Sequence, residues 1–343
     1  MKPEQAERFF IEELFTQSLD RDLVKREKLD LVDKLTGDAS TRRYYRLFTP
    51  TNSYVVCLDN PQLDESIPHP FVSKQNFLNS AGVRVPAIYD AQLAKGYILE
   101  EDLGDITFLT YLATINDKAH EHKLYLQVVN QLLTLHRLPR AQIEKSMLFN
   151  LSFDHEKYMQ EIDFTFKFFF THFLKFNDPA VTAEIREELN RVCHRLAAQP
   201  MVLTHRDFHS RNIMVKKDEL IFIDFQDARW GIPQYDLVSL LEDCYYELNP
   251  ENRENLKRHY FDNLPASAHG QGDWNTFCQL YNDMLIQRVF KAIGSFSYIY
   301  ATRQDARYLK YIGYGMEKIR MTLMSDDRYT KLRKLLFSVY YAS

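Results

Sequence analysis

Glycine is scarce in this chain. Only 10 of its 343 residues are glycine, so the glycine fraction is less than half of the roughly 7% found in an average protein. The scarcity excludes the familiar glycine-rich phosphate-binding loops, which need several glycines in one short stretch. The four cysteines form no Cys-x-x-Cys pair, so we expect neither a zinc site nor a disulfide framework, and a reducing compartment fits best.

Long apolar runs and an excess of one charge are also missing. No segment approaches about 18 uninterrupted apolar residues, so we expect no membrane partner. The N-terminal MKPEQAERFFIEELF lacks the apolar stretch of a signal peptide. The formal net charge of −4 and the pI near 6.3 predict no nucleic-acid partner. These absences indicate a cytoplasmic protein, which we expect to be a monomer.

The hydrophobic pattern changes along the chain. After an amphipathic helix near the N-terminus, short segments such as RRYYRLF and SYVVCLD predict strands around one helix, FVSKQNFLNSAG. Beyond residue 101 the apolar residues recur at helical spacing, and only a hairpin with a turn at Lys217-Asp218 interrupts them. The sequence therefore predicts an α+β fold. A small, mixed antiparallel-sheet region at residues 1–101 meets a larger helical region at residues 102–343 in a hinge near Glu101 to Gly104.

Three polar residues stand at spacings that suit phosphoryl transfer. HRDFHSRN places Asp207 five residues before Asn212, and FIDFQD places Asp224 after an apolar strand. Transfer from ATP needs a carboxylate that accepts the proton of the attacking hydroxyl, together with oxygen ligands for Mg²⁺. Each residue alone would be a turn former or a cap, but the combination matches the catalytic set of kinases. We expect His205 to hold the loop by packing and hydrogen bonding.

These motifs carry a family resemblance. LTHRDFHSRNIMV and LIFIDFQDARWGIPQYDLVSLL resemble the aminoglycoside phosphotransferase and choline kinase superfamily, whose members are relatives of the protein kinases. The resemblance implies a protein-kinase-like two-lobed fold with ATP and Mg²⁺ as cofactors. It implies that Asp207 is the base and that Asn212 and Asp224 hold the metal. It also implies that Asp236, in the Tyr-Asp-Leu segment, supports the loop.

Other segments resemble one branch of that superfamily. LTGDASTRRYYRL, YVVCLDNP, GVRVPAIYDAQLAKGYILEEDLGD and QRVFKAIGSF are similar to the bacterial anomeric amino-sugar kinases. This resemblance implies that the partner is a small amino sugar, N-acetylmuramate and/or N-acetylglucosamine. The product would be the sugar 1-phosphate, and the role would be peptidoglycan recycling.

The donor nucleotide is expected in the N-terminal region. The hinge main chain from Glu101 to Leu103 is expected to bind adenine. Backbone N–H groups of the LTGDASTRRYY hairpin predict an anion-binding nest, although a plain hairpin turn is the alternative. The residues of this predicted phosphate loop are Gly37, Asp38, Ala39, Ser40 and Thr41.

The lysine that kinases carry on the third strand is missing. SYVVCLDNP has Cys57 in that region. Arg43 is our first candidate for the cation at the donor phosphates because it is nearest the phosphate loop. Arg46 and Lys74 are alternatives, and each of the three could instead be a solvated surface charge.

The acceptor is expected beside Asp207. Arg211 or Arg229 would pair with a lactyl carboxylate if the acceptor were N-acetylmuramate, but each candidate has a plain structural alternative, such as a surface charge or an internal ion pair. The aromatic run FTFKFFF is better explained as core. The candidate acceptor residues are Arg211, Asp227, Arg229, Glu161 and Trp230.

Two other interpretations stay open from the sequence. The same chemistry could serve another acceptor: an aminoglycoside, a choline-like amine or an amino-acid hydroxyl. The missing lysine also admits a kinase-like nucleotide-binding protein without turnover, although such a protein has no reason to keep Asp207, Asn212 and Asp224 together.

Overall fold

A computed structural model describes residues 3–35, 42–64, 66–268 and 272–341 of the chain. The predicted phosphate loop, Gly37 to Thr41, lies outside these residues. The described residues of the first part of the chain form two helices and five strands. They are α1 (Pro3–Asp20), β1 (Leu31–Lys34), β2 (Arg43–Phe48), β3 (Ser53–Leu58), α2 (Pro70–Ser80), β4 (Ile88–Gln92) and β5 (Tyr97–Glu101).

The remaining part is mostly helical, as predicted. A π-helical stretch, Phe166–Phe173, continues the sixth helix. The elements are α3 (Phe108–Leu112), α4 (Lys118–His136), α5 (Arg140–Ser146), α6 (His155–Thr165), α7 (Pro179–Ala197), β6 (Val202–Thr204), β7 (Ile213–Lys216), β8 (Glu219–Phe222), β9 (Arg229–Gly231), α8 (Gln234–Leu241), α9 (Pro250–Asn263), α10 (Trp274–Arg303), α11 (Leu309–Ser325) and α12 (Thr330–Tyr340). Within the described ranges, no helix combines the length and the apolar character that crossing a bilayer requires.

The five N-terminal strands form one antiparallel sheet in the order β1-β2-β3-β5-β4. Side chains alternate between its two faces. One face, which we call the α1 face, buries Tyr45, Val56 and Leu99 against Leu14 and Phe15 of α1. The opposite face carries the alternate side chains, including those of Tyr44 and Cys57, which lie opposite each other on β2 and β3. The predicted N-terminal helix and strands are confirmed.

The predicted hairpin is also confirmed. Strands β7 and β8 pair antiparallel, and Lys217 and Asp218 connect them with φ angles of 49° and 66°. Two consecutive positive φ angles are what a tight two-residue hairpin turn needs.

The chain divides into two compact units. Unit 1 comprises residues 1–108 and 213–226, and unit 2 comprises residues 109–212 and 227–343. This division differs from a boundary at residue 101, because β7 and β8 join the unit of the sheet. Met214 and Ile221 pack on Leu103, and the N–H of Phe222 donates to the carbonyl of Arg84 at 2.9 Å. The assignment of nucleotide and acceptor to separate regions stays a prediction.

The long helix α10 is central to unit 2, where it packs against α6, α7, α8 and α11. Gly294 allows the approach to α6, because a Cβ atom there would lie 2.3 Å from the hydroxyl oxygen of Thr165. That hydroxyl donates to the carbonyl of Phe290 at 3.1 Å. The close packing brings the polar residues on the facing sides of α6 and α10 together.

Candidate active site

The loop that carries Asp207 starts at a strand pairing that the sequence did not reveal. Strand β6 pairs antiparallel with β9, so that Leu203 lies opposite Trp230. The hydroxyl of Thr204 donates to the carbonyl of Arg229 at 2.7 Å. Because both strands have only three residues, neither stands out by periodicity alone, yet together they fix where the loop begins.

Asp236 holds the first residues of the loop. Its carboxylate accepts hydrogen bonds from the N–H groups of His205 at 2.6 Å and Arg206 at 3.0 Å. The ring of His136 contacts the same carboxylate at 3.1 Å, and both of these side chains are fully buried. Arg206 has a φ of 84°, which non-glycine residues rarely adopt. A buried carboxylate that binds both N–H groups stabilises this conformation. The predicted supporting role of Asp236 has the geometry that it requires.

The end of the loop is fixed on itself and on the segment after α8. The amide Nδ2 of Asn212 donates to the main-chain carbonyl of Asp207 at 3.0 Å. The N–H of Ser210 donates to the buried carboxylate of Asp243 at 3.0 Å, and its hydroxyl does so at 2.5 Å. Because Nδ2 donates this bond, the amide oxygen of Asn212 is the other terminal atom of the side chain. An amide oxygen is a suitable Mg²⁺ ligand.

Three cations surround the carboxylate of Asp207. Arg206 lies 2.7 Å from one oxygen, whereas Arg288 and Lys291 of α10 lie 3.7 Å and 3.6 Å from the other. Burial would raise the pKa of Asp207, but the charges of these three residues outweigh it and hold the pKa well below its usual range. These charges therefore favour the ionised form of Asp207.

Glu161 of α6 belongs to the same charged cluster. Its buried carboxylate accepts a hydrogen bond from Gln287 at 3.0 Å. Burial lowers the pKa of Lys291, although Asp207 and Glu161 act in the opposite direction. Glu161, an acceptor candidate from the sequence, thus balances the cations that hold Asp207.

The sequence reasoning missed Arg206, Arg288 and Lys291. A signal for two of them was present in QRVFKAIGSF, where a spacing of three residues puts Arg288 and Lys291 on one side of a helix. That side faces the loop because Gly294, in the same segment, lets α10 pack closely on α6. Nothing local in the sequence shows that the helix and the loop meet.

Arg211 lies against two aromatic rings. Its guanidinium is 5.0 Å from the ring centre of Tyr245 and donates to the hydroxyl of Tyr308 at 3.3 Å. It lines a cavity of about 520 Å³ with Tyr308, Lys310 and Tyr311. This cavity, which is both cationic and aromatic, suits an acceptor that carries a carboxylate.

The other acceptor candidates have internal partners. Asp227 accepts a hydrogen bond from Arg206 at 2.9 Å, which connects it to the Asp207 cluster. Arg229 is 8% exposed, and its Nε donates to the main-chain carbonyl of Asp227. The indole N–H of Trp230 donates to the carbonyl of Phe149, and the guanidinium of Arg140 covers its ring at 4.8 Å. Arg229 and Trp230 are thus held by the protein itself.

In unit 1, Asp224 follows β8 and is exposed. It has a φ of 64° and accepts a hydrogen bond from Gln226 at 2.5 Å. The ring of Phe225 stacks on Phe71 of α2 at 5.2 Å, and Lys74 of α2 donates to the carbonyl of Gln226 at 2.5 Å. Contacts with α2 therefore fix the segment around Asp224.

The donor set fits Mg²⁺ by its chemistry. Asn212 of unit 2 offers an amide oxygen and Asp224 of unit 1 offers a carboxylate, and each is the kind of oxygen ligand that Mg²⁺ takes alongside phosphates and water. Within the described ranges, no group of three or more His, Cys, Asp and Glu residues could hold a metal by itself. Such a set suits a metal that arrives with a nucleotide.

The predicted nucleotide residues of unit 1 are engaged as follows. Arg43 is on the α1 face and pairs with Glu7 at 2.8 Å. Arg46 is on the opposite face, where its Nε lies 3.1 Å from a carboxylate oxygen of Asp102. The Glu101 side chain pairs with Arg84 and Lys216, and Leu103 is buried.

Curated proteins match this chain over most of its length. Residues 32–270 match the model of APH, the phosphotransferase enzyme family. A protein from Neisseria meningitidis serogroup B, named N-acetylmuramate/N-acetylglucosamine kinase, is 29% identical over 301 residues, which cover 87% of this chain and 86% of that protein. A protein of the same name from Pseudomonas putida is 31% identical, covering 80% of this chain and 78% of that protein.

Solved structures show the same fold. The ADP-bound aminoglycoside phosphotransferase APH(2'')-Ib has a TM-score of 0.57 at 18% identity, covering 89% of this chain and 98% of that one. The choline kinase LicA from Streptococcus pneumoniae has a TM-score of 0.56 at 15% identity, covering 96% and 99%. The fold is therefore protein-kinase-like, with a small antiparallel-sheet region and a mostly helical remainder, and the predicted fold class is confirmed.

The predicted superfamily resemblance is confirmed by the same findings. The family model covers more than half of the chain, and a curated relative above 30% identity covers most of it. The chain therefore belongs to the phosphotransferase enzyme family, APH.

Proposed function

We propose that this phosphotransferase is an ATP-dependent kinase that phosphorylates the anomeric hydroxyl of N-acetylmuramate and/or N-acetylglucosamine. The product is the sugar 1-phosphate, and the setting is cytoplasmic recycling of peptidoglycan sugars. The observation that carries the proposal is the carboxylate of Asp207, held among three cations on the loop that also presents Asn212. The names of the curated relatives, which are 25–31% identical to this chain, support the choice of acceptor.

MgATP supplies the phosphoryl group and the charge neutralisation that the transfer needs, and Asn212 and Asp224 would hold its metal. Asp207 accepts a hydrogen bond from the attacking hydroxyl and orients it. A carboxylate with such a low pKa is a weak base, and two features make a weak base sufficient. The transition state of phosphoryl transfer is loose, so the proton leaves late. An anomeric hydroxyl is also more acidic than an ordinary alcohol, because the ring oxygen withdraws charge from it.

Arg288 and Lys291 keep Asp207 in the ionised form and limit its rotation. Glu161 offsets part of their charge, so that the cluster does not repel a cation bound nearby. Arg211 and the tyrosines of its cavity suit the lactyl carboxylate of N-acetylmuramate, for which a guanidinium is the best side-chain partner.

The test is acceptor-dependent release of ADP from MgATP. The acceptors are N-acetylmuramate, N-acetylglucosamine, an aminoglycoside and choline, with 1-O-methyl N-acetylglucosamine as the control. We expect turnover with the free amino sugars and none with the methyl glycoside. Activity that survives 1-O-methylation would move the attack to another hydroxyl. Turnover with the aminoglycoside or choline alone would show that the acceptor belongs to that class and not to the amino sugars. No turnover at all would favour a binding protein.

A further inference from the structure

The third strand provides no cation for the donor phosphates. Cys57 of β3 lies on the face of the sheet opposite the α1 face, at the position where a kinase lysine would point toward the nucleotide. Burial raises the pKa of the Cys57 thiol to about 12, so that the residue is neutral. Any cation for the phosphates must come from outside β3.

Arg42 places a guanidinium on that same face. It immediately precedes β2 and is two residues from Tyr44, so its side chain points to the same face as that of Tyr44. Tyr44 lies opposite Cys57. Its Nε lies 2.7 Å from a carboxylate oxygen of Asp59, which follows β3, and the two side chains are 17% and 15% exposed. Arg42 also immediately follows the predicted phosphate loop. Its side chain therefore lies on the face of the sheet that Cys57 occupies.

Phe71 and Asp59 both contact this guanidinium. Its plane covers the ring of Phe71 at 5.0 Å, and Asp59 binds one edge. Burial would raise the pKa of Asp59, but the N–H of Asn60 and the Arg42 side chain hold it below its usual value. A guanidinium carries five N–H donors in a planar fork, a geometry that matches phosphate oxygens.

The same aromatic contacts connect Arg42 to the predicted metal ligand. Phe71 carries Arg42 over its ring and stacks on Phe225 at an angle of 16°. Phe225 directly follows Asp224. Both Arg42 and the Asp224 segment are thus positioned by one residue of α2, within one compact unit.

Arg43 lies on the face of the sheet opposite to that of Arg42. It pairs with Glu7 of α1, on the α1 face, and 46% of its side chain is exposed. Because successive residues of a strand point to opposite faces, Arg42 and Arg43 cannot both approach the same ligand.

We propose that Arg42 binds the donor phosphates of the nucleotide in place of the third-strand lysine. Asp59 and Phe71 act as positioning residues, because they touch Arg42 rather than the nucleotide. The inference rests on the proposed function only in requiring that the chain bind a nucleotide. It does not depend on which acceptor is phosphorylated.

Calorimetric titration of the full chain with ADP and with adenosine tests the proposal, because only ADP carries phosphates. We expect Arg42→Met to weaken ADP binding by about 10- to 100-fold and to leave adenosine binding within about twofold. Arg42→Lys keeps the charge and should restore part of the ADP affinity. Arg26→Met removes an exposed arginine that pairs with Asp22, and it is the matched control.

Other outcomes would overturn the assignment. Equal losses for ADP and adenosine would show that Arg42 only maintains the fold, and thermal melting of each variant separates unfolding from lost contacts. Loss of ADP affinity in Arg43→Met but not in Arg42→Met would assign the role to Arg43. A wild-type chain that bound ADP no more tightly than adenosine would also exclude the proposal. Strong ADP binding without sugar turnover would contradict only the proposed function.

Asp59→Asn tests the positioning role. We expect it to lower ADP affinity, by less than Arg42→Met does, and to add nothing in the double variant. Additive losses would mean that Asp59 acts independently of Arg42.

Discussion

Single residues set the charge state of the candidate active site. Asp207 would be a costly buried carboxylate on its own, but Arg206, Arg288 and Lys291 make its ionised form the stable one. The cluster keeps Asp207 ready to accept a hydrogen bond without first losing a proton. The three cations orient the carboxylate of Asp207, and they also make it a weaker base.

Lys291→Met tests this balance. The substitution removes one of the compensating charges while the burial of Asp207 remains, so that the pKa of Asp207 rises. Because the pKa of Asp207 lies well below its usual range in the wild type, we expect no acid limb of kcat from this group there, whereas in Lys291→Met an acid limb should enter the measured range from its acid end. The measurement is kcat with N-acetylglucosamine between pH 4.5 and 8.

Lys331→Met is the control for that variant, because Lys331 is half-exposed and pairs with Glu184 away from the cluster. No difference in the acid limb between Lys291→Met and the wild type would mean that Lys291 does not hold the charge of Asp207.

At the scale of elements, the positions of α10 and of the loop that carries Asp207 depend on close contacts between distant segments, which regular secondary structure alone does not provide. Helix α8 supplies Asp236, which binds the start of the loop, and α10 supplies the two cations at its middle. The approach of α10 to α6 requires the absence of a side chain at Gly294. The spacing of these helices therefore matters for the site as much as the identity of its residues.

Gly294→Ala should destabilise the protein, because the new Cβ would meet the Thr165 hydroxyl. We expect a loss of about 1–3 kcal/mol in the free energy of unfolding, as for other overpacked sites. The matched control is Gly313→Ala in α11, where no atom lies within 4 Å of the new Cβ. That change should be neutral or should stabilise by up to about 1 kcal/mol. Urea unfolding measures both, and equal effects would contradict the packing argument.

At the scale of the whole molecule, stability should depend on pH through a buried carboxyl group. Glu100 of β5 is 6% exposed, and its Oε1 has no hydrogen-bond partner within the described part of the chain. Burial raises its pKa to about 8, although the charge of Arg42 acts in the opposite direction. The folded protein therefore keeps a proton that the unfolded chain releases near pH 4.5.

The sign of the effect follows from this difference in bound protons. Between about pH 4.5 and 8 the folded state binds the extra proton, so that the free energy of unfolding falls as the pH rises. Glu100→Gln stays neutral and should remove this loss, raising Tm at pH 8 by about 3–6 °C relative to the wild type. Scanning calorimetry at pH 5 and pH 8 measures it, with exposed Glu144→Gln as the control. A Tm difference that is the same at both pH values would contradict the prediction.

Much of the architecture was predictable because its signals are local. The strands, the turn at Lys217-Asp218 and the later helices follow from periodicity and turn chemistry, and these depend on neighbouring residues only. The pairing of β6 with β9 was not predicted, because two strands of three residues carry no periodic signal. The predicted boundary at residue 101 missed the hairpin, because its packing on Leu103 joins segments far apart in the chain.

By itself, the sequence determined the family, since Asp207, Asn212 and the motif around Asp224 have diagnostic spacings, and the roles of these residues stay predictions. Only the tertiary structure decided what surrounds these residues. Arg288 and Lys291 approach Asp207 because α10 packs closely on α6. Arg42 and Arg43, adjacent in the chain, lie on opposite faces of a sheet whose one face is covered by α1. The physical reason is the same in both cases: residue spacing fixes local direction, whereas packing between distant segments determines which charges meet.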